Sequence, residues 1–335
     1  MVPAIAVADA LRAEGAEVAF VGGERAEAEL VPAAGYPLDP IRVEGISRTN
    51  PLKALRAGGK AALAVRSATA ILRRRGADAV LGGGGYVAGP VGLAAVLARI
   101  PLVLTEADSH LGLTNRLLAS RARRVCLAFP IAGREGERYL VTGRPVPARD
   151  PDRAGARAAL GIGPGERCVL VFGGSLGARS INHAAVAAFA NATYRVLHIA
   201  GRRDFGDLRA PGPHYDLRDY VRPFGRALAA AELAVARAGG SIFELAQYGI
   251  PAVLVPYPHA TGDHQTANAR WMQEGGAAVV LADDELTPER LRAAVDAILL
   301  DPERLAGMAA AAARLARPEA AHDVARAVLA AASTG

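Results

Sequence analysis

The chain has 335 residues, 51% of them apolar and only 5% aromatic, with a formal charge of +6. That length suits two α/β domains of ordinary size better than one core, and no apolar run reaches the roughly 18–20 residues of a membrane-spanning helix. The basic stretches lack interleaved aromatics and no DNA- or RNA-binding motif is present, which sets nucleic acid aside as a partner.

In chain order, residues 3–13 read as a helix with Ile5, Val7 and Leu11 apolar. Strand-like runs follow at 17–21, 79–81, 102–104, 125–129 and 139–141, with helical patterns between them, as at 92–99. The first half also holds a glycine cluster, Gly82-Gly83-Gly84-Gly85-Tyr86-Val87-Ala88-Gly89-Pro90. The second half repeats the alternation, with strands at 169–172, 196–199, 233–236, 252–255 and 278–281. Helices are expected near 180–190, 241–247, 265–274 and 288–299. Strand–helix alternation with right-handed crossovers gives parallel sheets covered on both faces. The Pro- and charge-rich stretch at 143–152 is the best linker, and two Ala-rich helices broken at Pro318 close the chain. The expected domains are 1–145 and 146–317, with a final helix at 318–333 packing back onto the first. Cys126 and Cys168 each lie inside an apolar strand-like run, as buried small hydrophobes do in a reducing compartment.

Charge is unevenly placed. Only two of the 39 basic residues, Lys53 and Lys60, are lysines, and no acid occurs between Gly45 and Ala77. That stretch carries Arg48, Arg56, Arg66 and the run Arg73-Arg74-Arg75, and residues 109–134 are again free of acids. Such stretches are either solvated helix faces or a basic apolar surface that docks on anionic lipid head groups.

The second glycine cluster, Gly173-Gly174-Ser175-Leu176-Gly177, lies between a buried strand and a helix opening near Ala178. Such a turn offers backbone N–H groups and a positive helix end to an anion, with Ser175 adding a hydroxyl. It also matches a Gly-x-Ser-x-Gly nucleophile elbow, with Asp263 and His322 as nominal partners. The preceding half, with its own glycine loop, speaks against a hydrolase. No dinucleotide fingerprint is present. Asp150-Pro151-Asp152 resembles a metal clamp but reads better as a helix N-cap with Pro151 early in the helix. In Arg237-Ala238-Gly239-Gly240-Ser241-Ile242-Phe243-Glu244 a strand ends, two glycines turn and a helix starts. Ser241 and Glu244 either form a capping box or hold a phosphate and a ribose diol, which suits a carboxylate with two acceptor oxygens. In Pro256-Tyr257-Pro258-His259-Ala260-Thr261-Gly262-Asp263-His264-Gln265, Gln265 opens a helix with a donor and an acceptor suited to sugar hydroxyls. His259 and His264 lack a third ligand at metal spacing, so no metal is expected.

Together these stretches (4–11, 82–90, 104–116, 173–182, 237–244 and 255–268) resemble the MurG family. Its members add N-acetylglucosamine to the undecaprenyl-pyrophosphoryl-muramoyl-pentapeptide precursor of peptidoglycan, and so serve cell-wall synthesis and cell division. The resemblance implies an α/β protein of two Rossmann-like domains facing across a cleft, with UDP-N-acetylglucosamine held by the C-terminal one. It implies an inverting, metal-independent transferase with no cofactor, peripheral to the cytoplasmic face of the bacterial membrane and touching its anionic surface. Carried over by position, Ser175 contacts the diphosphate and the Val221 backbone the uracil. Gly240, Ser241, Ile242, Phe243 and Glu244 hold phosphate and ribose, and Gln265 the sugar ring. Gly84, Gly85 and Tyr86 lie on the acceptor side. Glu106 and Asp108 are both candidates for the base, and Asp108 also belongs to the donor-binding set. The chain departs from the family in having Thr105-Glu106-Ala107-Asp108 for His-Glu-Gln-Asn and Gly143-Arg144-Pro145-Val146-Pro147 for Gly-Asn-Pro-Val-Arg. Its Gly239–Ser241 turn is also one residue shorter than in some members. The alternative functions are another UDP-sugar transferase, a UDP-N-acetylglucosamine 2-epimerase, or a silent UDP-sugar-binding protein.

Family members begin with a strand and a Gly-Gly-Thr-x-Gly-His loop, and Met1 falls one position after that His. A central strand is costly to omit, so the coding start is expected about 15–20 residues upstream, room for a strand of about 5–6 residues and the loop. If made as written, the chain is expected to fold poorly and transfer little sugar.

Overall fold

The computed structural model describes residues 1–24, 26–41, 51–174 and 177–333, with the backbone alone at 26, 51–61, 86 and 261. Two compact units result: Met1–Pro147 with Arg317–Gly335, and Ala148–Ala316.

The first unit runs α1 (Val2–Ala13), β1 (Phe20–Gly22), α2 (Ala26–Ala33), β2 (Leu38–Pro40), α3 (Pro51–Arg75), β3 (Val80–Gly82), α4 (Gly85–Leu97), β4 (Leu102–Glu106), α5 (Leu113–Leu118), β5 (Arg124–Leu127) and β6 (Tyr139–Val141). All its strands are parallel, in a four-stranded sheet β3-β4-β5-β6 and a separate pair β1-β2. Strand side chains alternate between faces, and the burial follows that period. Leu102, Leu104, Val125 and Leu127 pack toward Ala68 and Leu72 of α3 and Ala94 of α4. Val103 and Cys126, one residue out of step, pack against Val7 of α1 and Val324 near the chain's end. Val21 of β1 shares the first of these cores with Val80 of β3, so the two sheets rest on common helices.

The second unit runs α6 (Arg153–Ala159), β7 (Cys168–Phe172), α7 (Arg179–Ala188), β8 (Arg195–Ile199), β9 (Tyr215–Arg218), α8 (Phe224–Ala230), β10 (Leu233–Ala236), α9 (Ser241–Tyr248), β11 (Ala252–Leu254), α10 (His264–Glu274), β12 (Ala278–Val280), α11 (Pro288–Leu299) and α12 (Pro302–Leu315). Its six parallel strands are ordered β12-β11-β10-β7-β8-β9. Val169, Val171, Val196, Val235 and Val253 face Ile181 of α7 and Leu291 of α11. Phe172 takes the opposite face, edge-on to Phe224 of α8 at 5.2 Å between ring centroids. A last helix, α13 (Ala320–Ala332), returns to the first unit and packs on α1.

Several local expectations need correction. The glycine-rich stretch is not a loop through Pro90: α4 already starts at Gly85, capped by Gly84 at φ +77°. Packing of Val91, Ala94 and Ala95 in the core outweighs the poor helix propensity of Gly and Pro. Asp152 is the N-cap of α6 and accepts from the Gly155 N–H at 2.8 Å, so Pro151 precedes the cap rather than opening the helix. Gly240, not Ser241, is the N-cap of α9. A glycine has no side chain to close a capping box, so that alternative is not formed. Both cysteines are buried and free, and burial pushes each thiol up to about 12.

Candidate active site

In a parallel sheet the chain leaves every strand on the same edge, and ligands bind there. In the C-terminal unit that edge gathers the turn after β7, the turn after β10 and the segment after β11. Only the two ends of the first turn are closed to side chains: a Cβ at Gly173 would stand 2.4 Å from the Ala178 backbone nitrogen. At Gly177, with φ +82°, a Cβ would stand 2.1 Å from the Ala200 carbonyl oxygen. Ser175, the hydroxyl expected on the diphosphate, lies outside the described residues.

The second turn, Gly239-Gly240, opens α9. Ile242 and Phe243 bury their side chains in the core, Phe243 lying 5.3 Å from the Trp271 ring. Their amides bond back to Gly239 and Gly240 carbonyls at 3.2 and 3.4 Å. These two residues therefore offer little beyond weakly held main-chain N–H groups. Gln265 is brought to the same place: its Oε1 accepts from the Tyr257 N–H at 3.0 Å, and its Nε2 would be 3.9 Å from a Cβ at Gly239. Asn268, one turn on, donates to the Ala238 carbonyl at 3.0 Å and ties α10 to that turn. Gly240, Ser241, Glu244 and Gln265 thus share one edge of this unit, and Val221 follows β9 there.

Sequence reading missed what holds these loops. Arg237 Nη1 donates to the carbonyls of Val255 and Pro256, each at 3.1 Å, and to Asp283 Oδ1 at 2.6 Å. Its Nη2 donates to Ser180 Oγ at 2.8 Å, and that hydroxyl donates to Asp283 at 2.7 Å. One guanidinium therefore fastens the ends of β10 and β11 to α7 and to the turn at Asp283–Glu285. A lone Arg at a strand end was the only available signal.

In the N-terminal unit the turn between β3 and α4 meets the loop between β4 and α5. Thr114 Oγ1 donates to the Gly85 carbonyl at 3.2 Å, and a Cβ at Gly84 would stand 3.8 Å from Asn115 Nδ2. Glu106, 8% exposed, accepts four hydrogen bonds. Ala107 and Asp108 N–H reach Oε1 at 3.0 and 3.2 Å, and Gly112 N–H and Asn115 Nδ2 reach Oε2 at 2.8 and 2.9 Å. Gly84, Gly85, Glu106 and Asp108 are therefore neighbours, and the Tyr86 backbone lies in the first turn of α4.

Beside this loop cluster lies an exposed apolar face. Leu93 and Leu97 project from α4 and Leu113 and Leu117 from α5, with Leu97 at 66% and Leu117 at 68% exposure. At its margin a shallow cavity of about 280 Å³ is lined by Val96, Ile100 and the arginines 99, 121 and 123. Arg48 of the basic stretch lies outside the described residues. Arg74 and Arg75 are not open to solvent anions alone: both bond the buried Asp39, at 2.7 and 2.8 Å. Their charge holds the Asp39 carboxyl below the usual carboxylate range, the Arg75 hydrogen bond being the main cause. Among the described residues no helix is long and apolar enough to cross a membrane.

Comparison with known proteins identifies the family of both halves. Residues 1–127 match the glycosyltransferase family 28 N-terminal domain and residues 168–324 its C-terminal domain. A UDP-N-acetylglucosamine–N-acetylmuramyl-(pentapeptide) pyrophosphoryl-undecaprenol N-acetylglucosamine transferase of Alkalilimnicola ehrlichii is 43% identical, over 97% of this chain and 93% of its own. A protein of the same name from Moorella thermoacetica is 40% identical, over 98% and 94%. The crystal structure of Acinetobacter baumannii MurG superposes with a TM-score of 0.77 at 30% identity, covering 98% of this chain and 95% of that one. With two glycosyltransferase domains and relatives at this identity over nearly its whole length, the chain belongs to the MurG family of glycosyltransferase family 28.

Proposed function

We propose that this enzyme transfers N-acetylglucosamine from UDP-N-acetylglucosamine to a polyprenyl-linked muramoyl-pentapeptide, with inversion at the anomeric carbon. The observation that carries the reading is the gathering of Gly240, Ser241, Glu244 and Gln265 on one sheet edge, in a chain whose relatives bear that activity in their names. The acceptor's 4-hydroxyl attacks the anomeric carbon, the bond from that carbon to the diphosphate oxygen breaks, and UDP departs. The N-termini of α7 and α9 and Ser175 carry the charge that develops on the leaving group, a fixed electrostatic stabilisation. Glu244 takes the ribose diol and Gln265 the sugar hydroxyls.

The proton of the attacking hydroxyl must go to a base. Glu106 already fills its oxygens with four N–H donors, the full acceptor capacity of a carboxylate. We assign it to holding the loop, which leaves Asp108 as the carboxylate of the pair available to the hydroxyl. The exposed leucines of α4 and α5, flanked by arginines, dock this unit on an anionic membrane surface, where a lipid-linked acceptor resides.

The deciding experiment offers labelled donor to the purified chain with and without lipid-linked muramoyl-pentapeptide. Acceptor-dependent formation of the disaccharide lipid is expected. Epimerised free sugar nucleotide, or UDP binding without transfer to any acceptor, overturns the reading.

A further inference from the structure

The C-terminal unit contains a buried polar chain that the reaction above does not use. Tyr215 on β9, His198 on β8 and Asn182 on α7 are all buried. The Tyr215 hydroxyl lies 2.7 Å from His198 Nδ1, and His198 Nε2 lies 3.0 Å from Asn182 Oδ1. Asn182 Nδ2 faces two acceptors, the Ala200 carbonyl at 2.9 Å and Asp204 Oδ2 at 3.1 Å, which fixes the orientation of its amide. Its oxygen can then only accept, so His198 carries its proton on Nε2 and Nδ1 accepts from Tyr215. Burial keeps the imidazole neutral, its pKa brought down to about 4. Every donor in the chain points one way, from Tyr215 through His198 and Asn182 to Asp204.

Asp204 ends the chain and is 2% exposed. Arg203 clasps it with Nε at 2.9 Å and Nη2 at 3.1 Å, and Arg179 Nη2 stands at 3.5 Å. Both arginines remain more than half exposed, at 52% and 65%. Asn182 sits one turn into the helix that the glycine turn opens, and Ala200 and Asp204 belong to the loop leaving β8. A Cβ at Gly177 would meet Ala200 O at 2.1 Å and Asn182 Nδ2 at 3.3 Å, so turn, amide and loop touch with nothing between them.

We propose that His198 is a positioning residue for the diphosphate of the donor. Held as a single tautomer, it donates to the Asn182 oxygen and so steadies the amide whose nitrogen meets Ala200, Asp204 and the Gly177 end of the glycine turn, and with them the Arg179–Asp204–Arg203 clasp. The clasp presents two guanidinium groups on the sheet edge where a diphosphate lies. This rests on the assignment of the donor to the C-terminal unit made above.

The test compares the full chain with His198→Leu, His198→Gln and Asp204→Asn, measuring UDP affinity by calorimetry and donor and acceptor saturation kinetics. A glutamine amide can still donate to Asn182 Oδ1; leucine cannot. His198→Leu and Asp204→Asn should raise the UDP Kd and the donor KM about tenfold or more, as expected for leaving a buried polar partner unmet. The acceptor KM should stay put, and His198→Gln should restore the donor KM to within about threefold of wild type. A merely structural role lowers the melting temperature while the folded protein keeps the wild-type Kd and donor KM, and that result overturns the proposal. Should His198→Leu fail to fold, an unchanged donor KM in Asp204→Asn overturns it equally. Failure of the wild type to bind UDP removes instead the donor assignment on which the proposal stands.

Discussion

Asn115 Nδ2 donates to Glu106 Oε2 at 2.9 Å, on the same oxygen that receives the Gly112 N–H at 2.8 Å. With Ala107 and Asp108 on the other oxygen, the carboxylate closes the loop from 107 to 115 around itself. Glu106→Gln puts an NH2 group against N–H donors whichever way the amide turns. Leaving buried donors unmet costs about 1–3 kcal/mol. The variant should lose that much stability in the N-terminal unit and most of its acceptor-dependent kcat/KM, while UDP binding by calorimetry stays at the wild-type level. Full transfer activity in Glu106→Gln would return Glu106 to the list of groups that need no carboxylate.

A second prediction concerns Arg237, whose guanidinium is satisfied by Asp283, Ser180 and two carbonyls. Asp283→Ala leaves that largely buried charge without its counter-ion and Ser180 without its acceptor. Removing one partner of a buried pair costs several kcal/mol; with Asp283 about a quarter exposed, about 2 kcal/mol is expected. The melting transition that rises on adding UDP belongs to this unit, and it should shift downward with a weaker UDP response. An unchanged transition would mean that the loops are held by their backbone bonds alone.

How far the fold could be read ahead depended on whether the signal was local. Helix α11 matches its expected span of 288–299, because Thr287, Pro288 and an apolar period of 3.6 all lie within one short window. Strands β6 and β10 were equally plain as bounded apolar runs. The short strand β2, three residues long, was missed, and α3 was read only as basic helix faces or a docking surface, with no bounds. In the site, Gly240, Ser241, Glu244 and Gln265 were legible because turn and helix start leave a local signature. Ser180, Arg237 and Asp283 were not, since they meet only after the sheet brings their strands side by side. Glu106 was visible as a carboxylate, but its four donors come from a loop folded back on it.

The exposed leucines give a third prediction. Leu97→Asp and Leu117→Asp place a negative charge on the apolar face without touching either unit's core. Each should reduce sedimentation with anionic vesicles while leaving UDP affinity unchanged. Wild-type binding should weaken as salt rises, since the Debye length falls from about 10 Å at 0.1 M to about 3 Å at 1 M. Equal sedimentation of both variants and wild type would assign membrane contact to another face.

The last prediction follows from the proton affinity of His198. Burial lowers its folded-state pKa to about 4, whereas in the unfolded chain it returns to about 6.5. Between these values the unfolded chain binds a proton that the folded one refuses, so stability rises with pH there. The sign is therefore definite: stability is at its full value above about pH 6.5 and falls as pH drops toward 4, by roughly 3 kcal/mol over the whole interval. Asp39 and Asp204, whose carboxyls are held low chiefly by hydrogen bonds from Arg75 and Arg203, act in a different window. Their stabilisation is present above the ordinary carboxylate range and is lost only as pH falls through their lowered values. Urea midpoints of the UDP-responsive transition, taken between about pH 7 and 5, should decline in the wild type. In His198→Gln, which has no imidazole to protonate, the decline should be markedly shallower. Parallel curves for the two proteins would mean that His198 is protonated within the fold, and that the chain from Tyr215 to Asp204 does not hold it neutral.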